Sequence, residues 1–379
     1  MSVTVPLCRP FLTGNETKYV AESIASGQLA GDGPFTKRCE RLMEEAFGAR
    51  RVLLTTSGTS ALEMAAFLCD LHPGDHVIMP SYTFTSTANA FLLRGAQPVF
   101  VDIEAETLNL DVAAASAAVT DRTRVIVPVH YAGIACDMKG IGEIAARHRL
   151  MVVEDAAQAV NATYHDRKLG TIGDFGAFSF HQTKNFVCGE GGALVIGREQ
   201  AIERAEIVRE KGTDRSRFFR GQVDKYTWVD AGSSYVPSDL LAAFLLAQLE
   251  SMDVITAQRA RVFKAYEELF APLVERGIVT LPAIPAGCVT NYHIMYAIVE
   301  SAEQRTALLH RLNERGFGAV FHYVPLHLSP MGARLGYRPG MLPVTERLSE
   351  RLIRLPLYPE LDHATIAAIV GEIARFFAV

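Results

Sequence analysis

Between residues 50 and about 200 the chain alternates short, continuous apolar runs rich in β-branched residues with segments of helical periodicity. The runs are Arg51-Val-Leu-Leu-Thr55, His76-Val-Ile-Met79, Pro98-Val-Phe-Val101, Arg124-Val-Ile-Val-Pro-Val129, Leu150-Met-Val-Val153, Gly176-Ala-Phe-Ser-Phe180 and Ala193-Leu-Val-Ile196. A strand that is apolar at successive positions, not at alternate ones, is covered on both faces, which is the condition of a mainly parallel sheet with helices on either side. The pattern therefore predicts an α/β domain built on a large, mainly parallel seven-stranded sheet. In such sheets ligands bind beyond the carboxyl ends of the strands, and the polar stretch Thr55 to Thr59, Asp155 and Lys184 all end or follow strands.

A chain of 379 residues exceeds the size at which one hydrophobic core stops growing, so two domains are expected. The sequence places the large α/β domain at 1–250 and a smaller α+β domain at 251–379, with strands near Tyr292 to Val299 and Ala319 to Val324 and helices near Ala302 to Arg315 and Ala364 to Phe377. The apolar stretch Leu240 to Leu249 is about half of the ~20 residues that span a bilayer. It is expected to be a buried helix capped by Ser238.

Apolar residues make up 49% of the chain and charged residues 21%, as in a globular protein. A formal charge of −5 without a Lys/Arg block excludes the basic stripe of a nucleic-acid binder. The six cysteines are scattered, with no C-x-x-C pair, and the opening Met1 to Pro10 lacks the basic start and apolar centre of a signal peptide. The expectation is a cytoplasmic protein with reduced thiols, no membrane span and no metal.

Two residues carry the chemistry. Lys184, in Gly176-Ala-Phe-Ser-Phe-His-Gln-Thr-Lys184, and Asp155, at the end of Val152-Val-Glu-Asp155-Ala-Ala-Gln158, together read as a pyridoxal phosphate site. That cofactor needs an amine to condense with its aldehyde and a carboxylate to keep its ring nitrogen protonated. A lysine alone is ordinarily a solvated surface charge; one buried between an aromatic-rich strand and the turn Cys188-Gly-Glu-Gly-Gly192 has a lowered pKa, as such chemistry requires. Thr55-Thr-Ser57-Gly58-Thr59-Ser60 falls between a strand and a helix, where it serves either as a phosphate cradle or as a plain helix cap. Phe84, after the second strand, is either a core aromatic or a ring that lies against a flat heterocycle. His322 and His327 stand five residues apart, which matches no metal-ligand spacing, and leaves substrate contact or a satisfied core histidine.

Taken in order, Ser57-Gly58-Thr59, Asp155-Ala-Ala-Gln158 and Ser179-Phe-His-Gln-Thr-Lys184 resemble the DegT/DnrJ/EryC1/StrS sugar aminotransferases, a branch of the type I fold of pyridoxal phosphate enzymes. The similarity extends over nearly the whole chain, through Ser26-Gly-Gln-Leu-Ala-Gly-Asp-Gly33, Gly95-Ala-Gln-Pro-Val-Phe-Val-Asp102 and His322-Tyr-Val-Pro-Leu-His327. The resemblance implies that Lys184 bonds the cofactor, Asp155 pairs with its ring nitrogen, Gln158 lies beside the ring, Phe84 stacks on it, and Ser57, Gly58, Thr59 and Ser179 hold its phosphate. The run Lys211 to Pro237 resembles the branch that aminates dTDP-4-keto-6-deoxy-D-glucose with L-glutamate in enterobacterial common antigen synthesis. That branch implies a homodimer with active sites at the subunit interface. His322, Tyr323, His327 and Arg220 are the candidate substrate contacts.

One position departs from the pattern. Many relatives place Asn after the residue matching Tyr235, where it reaches the partner's phosphate site, and this chain has Val236, which cannot donate. Ser233, Ser234 or the subunit's own groups are the alternatives. Dehydratases of the same family characteristically carry His where this chain has Lys184, and no G-x-G-x-x-G opens a helix after the first strand as a dinucleotide site would need.

Overall fold

The computed structural model describes residues 4–378. Its strands in chain order are β1 (Arg51–Thr55), β2 (His76–Pro80), β3 (Gln97–Val101), β4 (Thr123–Ile126), β5 (Met151–Asp155), β6 (Thr163–Tyr164), β7 (Arg167–Lys168), β8 (Phe175–Ser179), β9 (Gly192–Ile196), β10 (Cys288–Val289), β11 (Met295–Ile298) and β12 (Leu352–Leu355). Each of the seven apolar runs supplies one strand of a seven-stranded sheet in the order β1-β9-β8-β5-β4-β2-β3. Neighbours from β8 to β3 are parallel, and β9 runs antiparallel to both β8 and β1. The reversal has a local cause: the β8–β9 connection spans residues 180–191 and contains no helix to carry the chain back across the sheet.

Alternate residues of each strand feed opposite cores. Leu53, Val77, Val153 and Leu194 pack on one face with Ala61, Ala65 and Leu62 of the Gly58–Leu68 helix. Val52, Leu54, Phe178 and Val195 pack on the other with Phe35, Met43, Leu245 and Leu246. The expected buried helix is observed over Asp239–Glu250, but Ser238 makes no side-chain cap bond. Its neighbour Asp239 is the capping group, and for another helix: the carboxylate accepts from the backbone N–H groups of Phe35 (3.2 Å) and Thr36 (2.8 Å) at the start of Pro34–Phe47.

After a 63° bend the Met252–Glu275 helix leads toward the C-terminal region. Met252 and Ile255 still belong to the sheet's core, whereas Val262, Phe263, Tyr266 and Phe270 join a separate core with the Ala302–Glu314 and His363–Phe376 helices and the antiparallel pair β11–β12. No strand forms over 319–324. A single bridge joins Val320 to Arg354, and beyond it the chain leaves the ladder because His322 and Tyr323 are hydrogen-bonded to Tyr131 and Gln158 instead. A further apolar cluster joins the two regions, with Tyr82, Tyr131 and Ile134 from the sheet side against Ile294, Tyr296, Leu348 and Leu352. Among the described residues no single helix is long and apolar enough to cross a membrane.

Candidate active site

The carboxyl ends of β1, β2, β5 and β8 open on one cavity of about 460 Å3, closed from the C-terminal region by His293, His322, Tyr323 and Arg354. The strand ends bring Ser57, Gly58, Thr59, Phe84, Asp155, Gln158, Ser179 and Lys184 together there. Groups up to 127 residues apart in the chain thus converge because parallel strands all end at the same edge of the sheet.

Lys184 is half-buried, and its amine makes no hydrogen bond or ion pair among the described residues. Loss of water around it lowers its pKa to about 8, against the attraction of Asp155 and with the repulsion of Arg354. Asp155 is buried, and its two oxygens are fixed separately: Thr87 Oγ1 donates to Oδ2 at 2.7 Å, and the Ala157 N–H donates to Oδ1 at 3.2 Å. Thr87 in turn meets Thr83 at 2.7 Å, so the Thr85–Leu92 helix and the turn before it hold the carboxylate that ends β5. The sequence did not single out Thr87; its only signal was the run of hydroxyl residues from Thr83 to Thr87.

The helix-cap reading of Ser57-Gly58-Thr59 is observed directly, and the start of that helix stays open to a ligand. Ser57 caps the Gly58–Leu68 helix by accepting from the Ser60 N–H at 3.1 Å. The Gly58 and Thr59 N–H groups keep no partner among the described residues and point a helix N-terminus at the cavity, the ordinary site for a phosphate. Close approach requires the glycine: a Cβ at Gly58 would lie 2.8 Å from Ser179 Cβ and 3.2 Å from the Phe178 carbonyl oxygen. Phe84 is 58% exposed at the cavity rim, so it is no core aromatic.

Gln158 accepts from the Ala132 N–H at 2.8 Å and donates to Tyr323 Oη at 3.1 Å, which ties one cavity wall to the other. His322 Nδ1 shares a 3.0 Å hydrogen bond with Tyr131 Oη, and burial with Arg354 and Lys184 nearby pushes its pKa down to about 2. His293, bound to Asn185 at 2.8 Å, is likewise held well below its usual value, by burial and then by Lys184 and Arg354. Both imidazoles are therefore neutral. Arg354 and His293 were not anticipated from sequence; a charged residue inside the apolar run Leu352-Ile-Arg-Leu355 was the one available sign.

Two expected substrate contacts lie elsewhere. His327 is buried outside the cavity, where its backbone N–H donates to Ser81 Oγ at 3.0 Å, Nδ1 meets that hydroxyl at 2.7 Å, and Nε2 meets Glu346 at 3.0 Å. Both ring nitrogens are used, so it is a satisfied core histidine that clamps the loop after β2. Arg220 does not line the cavity either; its guanidinium pairs with Glu206 at 2.7 Å and Gln222 at 3.1 Å. Val236 packs against Gly31 of its own chain, where an added Cβ would overlap the valine side chain. Among the described residues no group of three or more His, Cys, Asp or Glu side chains is arranged to hold a metal ion.

A free, acidified lysine amine facing a fixed carboxylate, with unpaired N–H groups for a phosphate at the same sheet edge, defines a pyridoxal phosphate enzyme of the type I fold. The family-level match agrees: the model of the DegT/DnrJ/EryC1/StrS aminotransferase family matches residues 10–374, and the chain belongs to that family. It is 34% identical to the GDP-perosamine synthase of Caulobacter vibrioides, over 97% of each chain. It is 33% identical to the spore coat polysaccharide biosynthesis protein SpsC of Bacillus subtilis, over 97% of this chain and 96% of that one. The solved PLP form of Spr1654 from Streptococcus pneumoniae superposes with a TM-score of 0.91 at 27% identity, covering 98% of both chains. The cofactor is pyridoxal 5'-phosphate.

Proposed function

We propose that the protein transfers an amino group from L-glutamate to the C4 ketone of a nucleotide-linked 4-keto-6-deoxy sugar, dTDP-4-keto-6-deoxy-D-glucose, giving dTDP-4-amino-4,6-dideoxy-D-galactose and 2-oxoglutarate. The product would serve cell-surface polysaccharide synthesis such as that of enterobacterial common antigen, in the cytoplasm, and the working unit would be a homodimer. The observation that carries the reading is Lys184: an unpaired amine of pKa about 8 opposite Asp155. Lysine at this position favours amination over the dehydration performed by relatives with histidine there.

Bound pyridoxal phosphate supplies an electron sink for carbanion chemistry at the substrate carbon. The Gly58 and Thr59 N–H groups with Ser57 and Ser179 would hold its phosphate, and Asp155, held in place by Thr87, would face its ring nitrogen. Phe84 would cover the ring and Gln158 would lie beside it. With a pKa near 8, Lys184 is partly neutral at pH 7 and can take a proton from the glutamate α-carbon and return one to the sugar C4. Neutral His322 and His293 add no competing charge.

A GDP-linked sugar is the second reading, favoured by the identity to a GDP-perosamine synthase. The test offers cofactor-loaded protein glutamate with dTDP- and GDP-linked 4-keto-6-deoxy sugars, with Lys184→Ala as control, and identifies products by mass and NMR. A lysine-dependent 4-amino sugar of galacto configuration on dTDP is expected. Turnover of the GDP sugar alone would select the second reading, and no amino sugar from cofactor-loaded protein would reject both.

A further inference from the structure

The proton on the His293 ring can be placed from its neighbours. The residue stands just before β11, where the buried Arg259 holds the backbone by donating to the Tyr292 carbonyl at 3.0 Å and the His293 carbonyl at 2.8 Å. Asn185, which follows Lys184 in the chain, fixes the ring. Its Nδ2 donates to the Asn291 carbonyl at 2.8 Å, which turns Oδ1 toward His293 Nδ1, also at 2.8 Å. A carbonyl oxygen only accepts, so Nδ1 carries the proton. Burial, with the charges of Lys184 and Arg354, keeps the ring neutral, and Nε2 therefore bears a lone pair.

His293 lines the cavity and Asn185 does not, so the ring edge opposite the Asn185 contact is the one turned to the ligand space. Only 4% of the residue is exposed, which sets that edge deep in the wall. Nε2 has no hydrogen-bond partner among the described residues. Besides Lys184, the titratable or charged side chains that share the cavity with it are Asp155, His181, Glu190, His322, Tyr323 and Arg354. Lys184 offers three N–H groups, none of them engaged, and among these side chains its charge acts most strongly on His293. We infer that His293 is a positioning residue, whose Nε2 accepts a hydrogen bond from Lys184 while that amine carries the proton it takes from the glutamate α-carbon and returns to the sugar C4. The inference rests on the transamination reading. An ammonium on a flexible stem would otherwise turn to the carboxylate of Asp155, a stronger pair that would withdraw it from the substrate carbon. A neutral acceptor holds the charged amine and lets it give the proton back.

The test compares wild type, His293→Asn and His293→Gln. Asparagine keeps a donor for Asn185 at the place of Nδ1 but has no acceptor at the place of Nε2, which the glutamine carbonyl oxygen can reach. In cofactor-free protein, limited acetylation with acetic anhydride as a function of pH, read by mass spectrometry on the peptide that contains Lys184, gives the amine's pKa. An acceptor favours the ammonium, so His293→Asn should lower that pKa by about one unit and His293→Gln should restore most of it. In cofactor-loaded protein the half-reaction with L-glutamate, followed by absorbance, should slow by about 10-fold or more in His293→Asn and recover in His293→Gln. The half-saturating glutamate concentration should stay within about threefold. A Lys184 pKa unmoved in His293→Asn, equal behaviour of the two variants, or a loss confined to glutamate affinity would each overturn the inference. The expected pKa shifts without amino transfer by cofactor-loaded wild type would instead reject the transamination reading and leave the pairing of Lys184 with His293 standing.

Discussion

Removing the Lys184 charge should stabilise the cofactor-free protein. The folded environment lowers the amine's pKa from 10.5 to about 8, chiefly by stripping water from it. At about 1.4 kcal/mol per pKa unit that is about 3 kcal/mol against the folded state, reduced to roughly 2 kcal/mol because the side chain is only half-buried. The sign follows from proton counting. Between pH 8 and 10.5 the unfolded chain binds more protons at this lysine than the folded one, so stability rises with pH across that window. The penalty is complete below pH 8 and gone above 10.5. Lys184→Met keeps the length of the stem and deletes the charge. Urea unfolding of both cofactor-free proteins at pH 7 should show the variant more stable by roughly 2 kcal/mol, and the gap should close as pH approaches 10.5. A gap of the same size at both pH values, or a variant less stable at pH 7, would refute the claim that desolvation of the amine dominates here.

Three further outcomes are expected. Asp155→Asn should still bind the cofactor but lose transamination by about 100-fold or more, since the charge facing the ring nitrogen is gone; near-normal turnover by product assay would contradict the role given to Asp155. Thr87→Val deletes a 2.7 Å bond to that buried carboxylate, so kcat/KM should fall by roughly 10- to 100-fold, matching the 1.5–3 kcal/mol typical of hydrogen bonds to charged groups. Gly58→Ala forces a methyl to within 2.8 Å of Ser179, which should cost about 1–3 kcal/mol in a urea titration and weaken cofactor binding in a fluorescence titration; wild-type behaviour in both would show that the helix start has room to move.

Much of the seven-stranded sheet was legible because its strands are short and apolar throughout. Seven such runs map onto seven strands, and the residues just past four of them line the cavity. The direction of β9 was not legible from composition, since Ala193-Leu-Val-Ile196 reads the same either way; only the shortness of the connection after β8 carries that information. The C-terminal region was harder. Leu352–Leu355 is four residues with an arginine inside, too brief and too mixed to stand out, yet it forms half of a sheet and delivers Arg354 to the cavity. His322 and His327 look alike in sequence, and what separates them is three-dimensional: Ser81 and Glu346 both reach His327, whereas among the described residues only Tyr131 is hydrogen-bonded to the His322 ring, at the cavity. Asp239 shows the same limit, since the Phe35 N–H that it caps lies 204 residues earlier.

The wall of the cavity made by His322, Tyr323 and Arg354 comes from the last sixth of the chain, and the apolar seam behind it needs Leu348 and Leu352 to meet Tyr82 and Tyr131. During synthesis the lysine and the aspartate are therefore in place long before the enclosure around them exists. A nascent chain that has left the ribosome only as far as residue 300 lacks that wall, and a chain cut short before Leu352 cannot build the enclosed site however well its seven-stranded sheet folds.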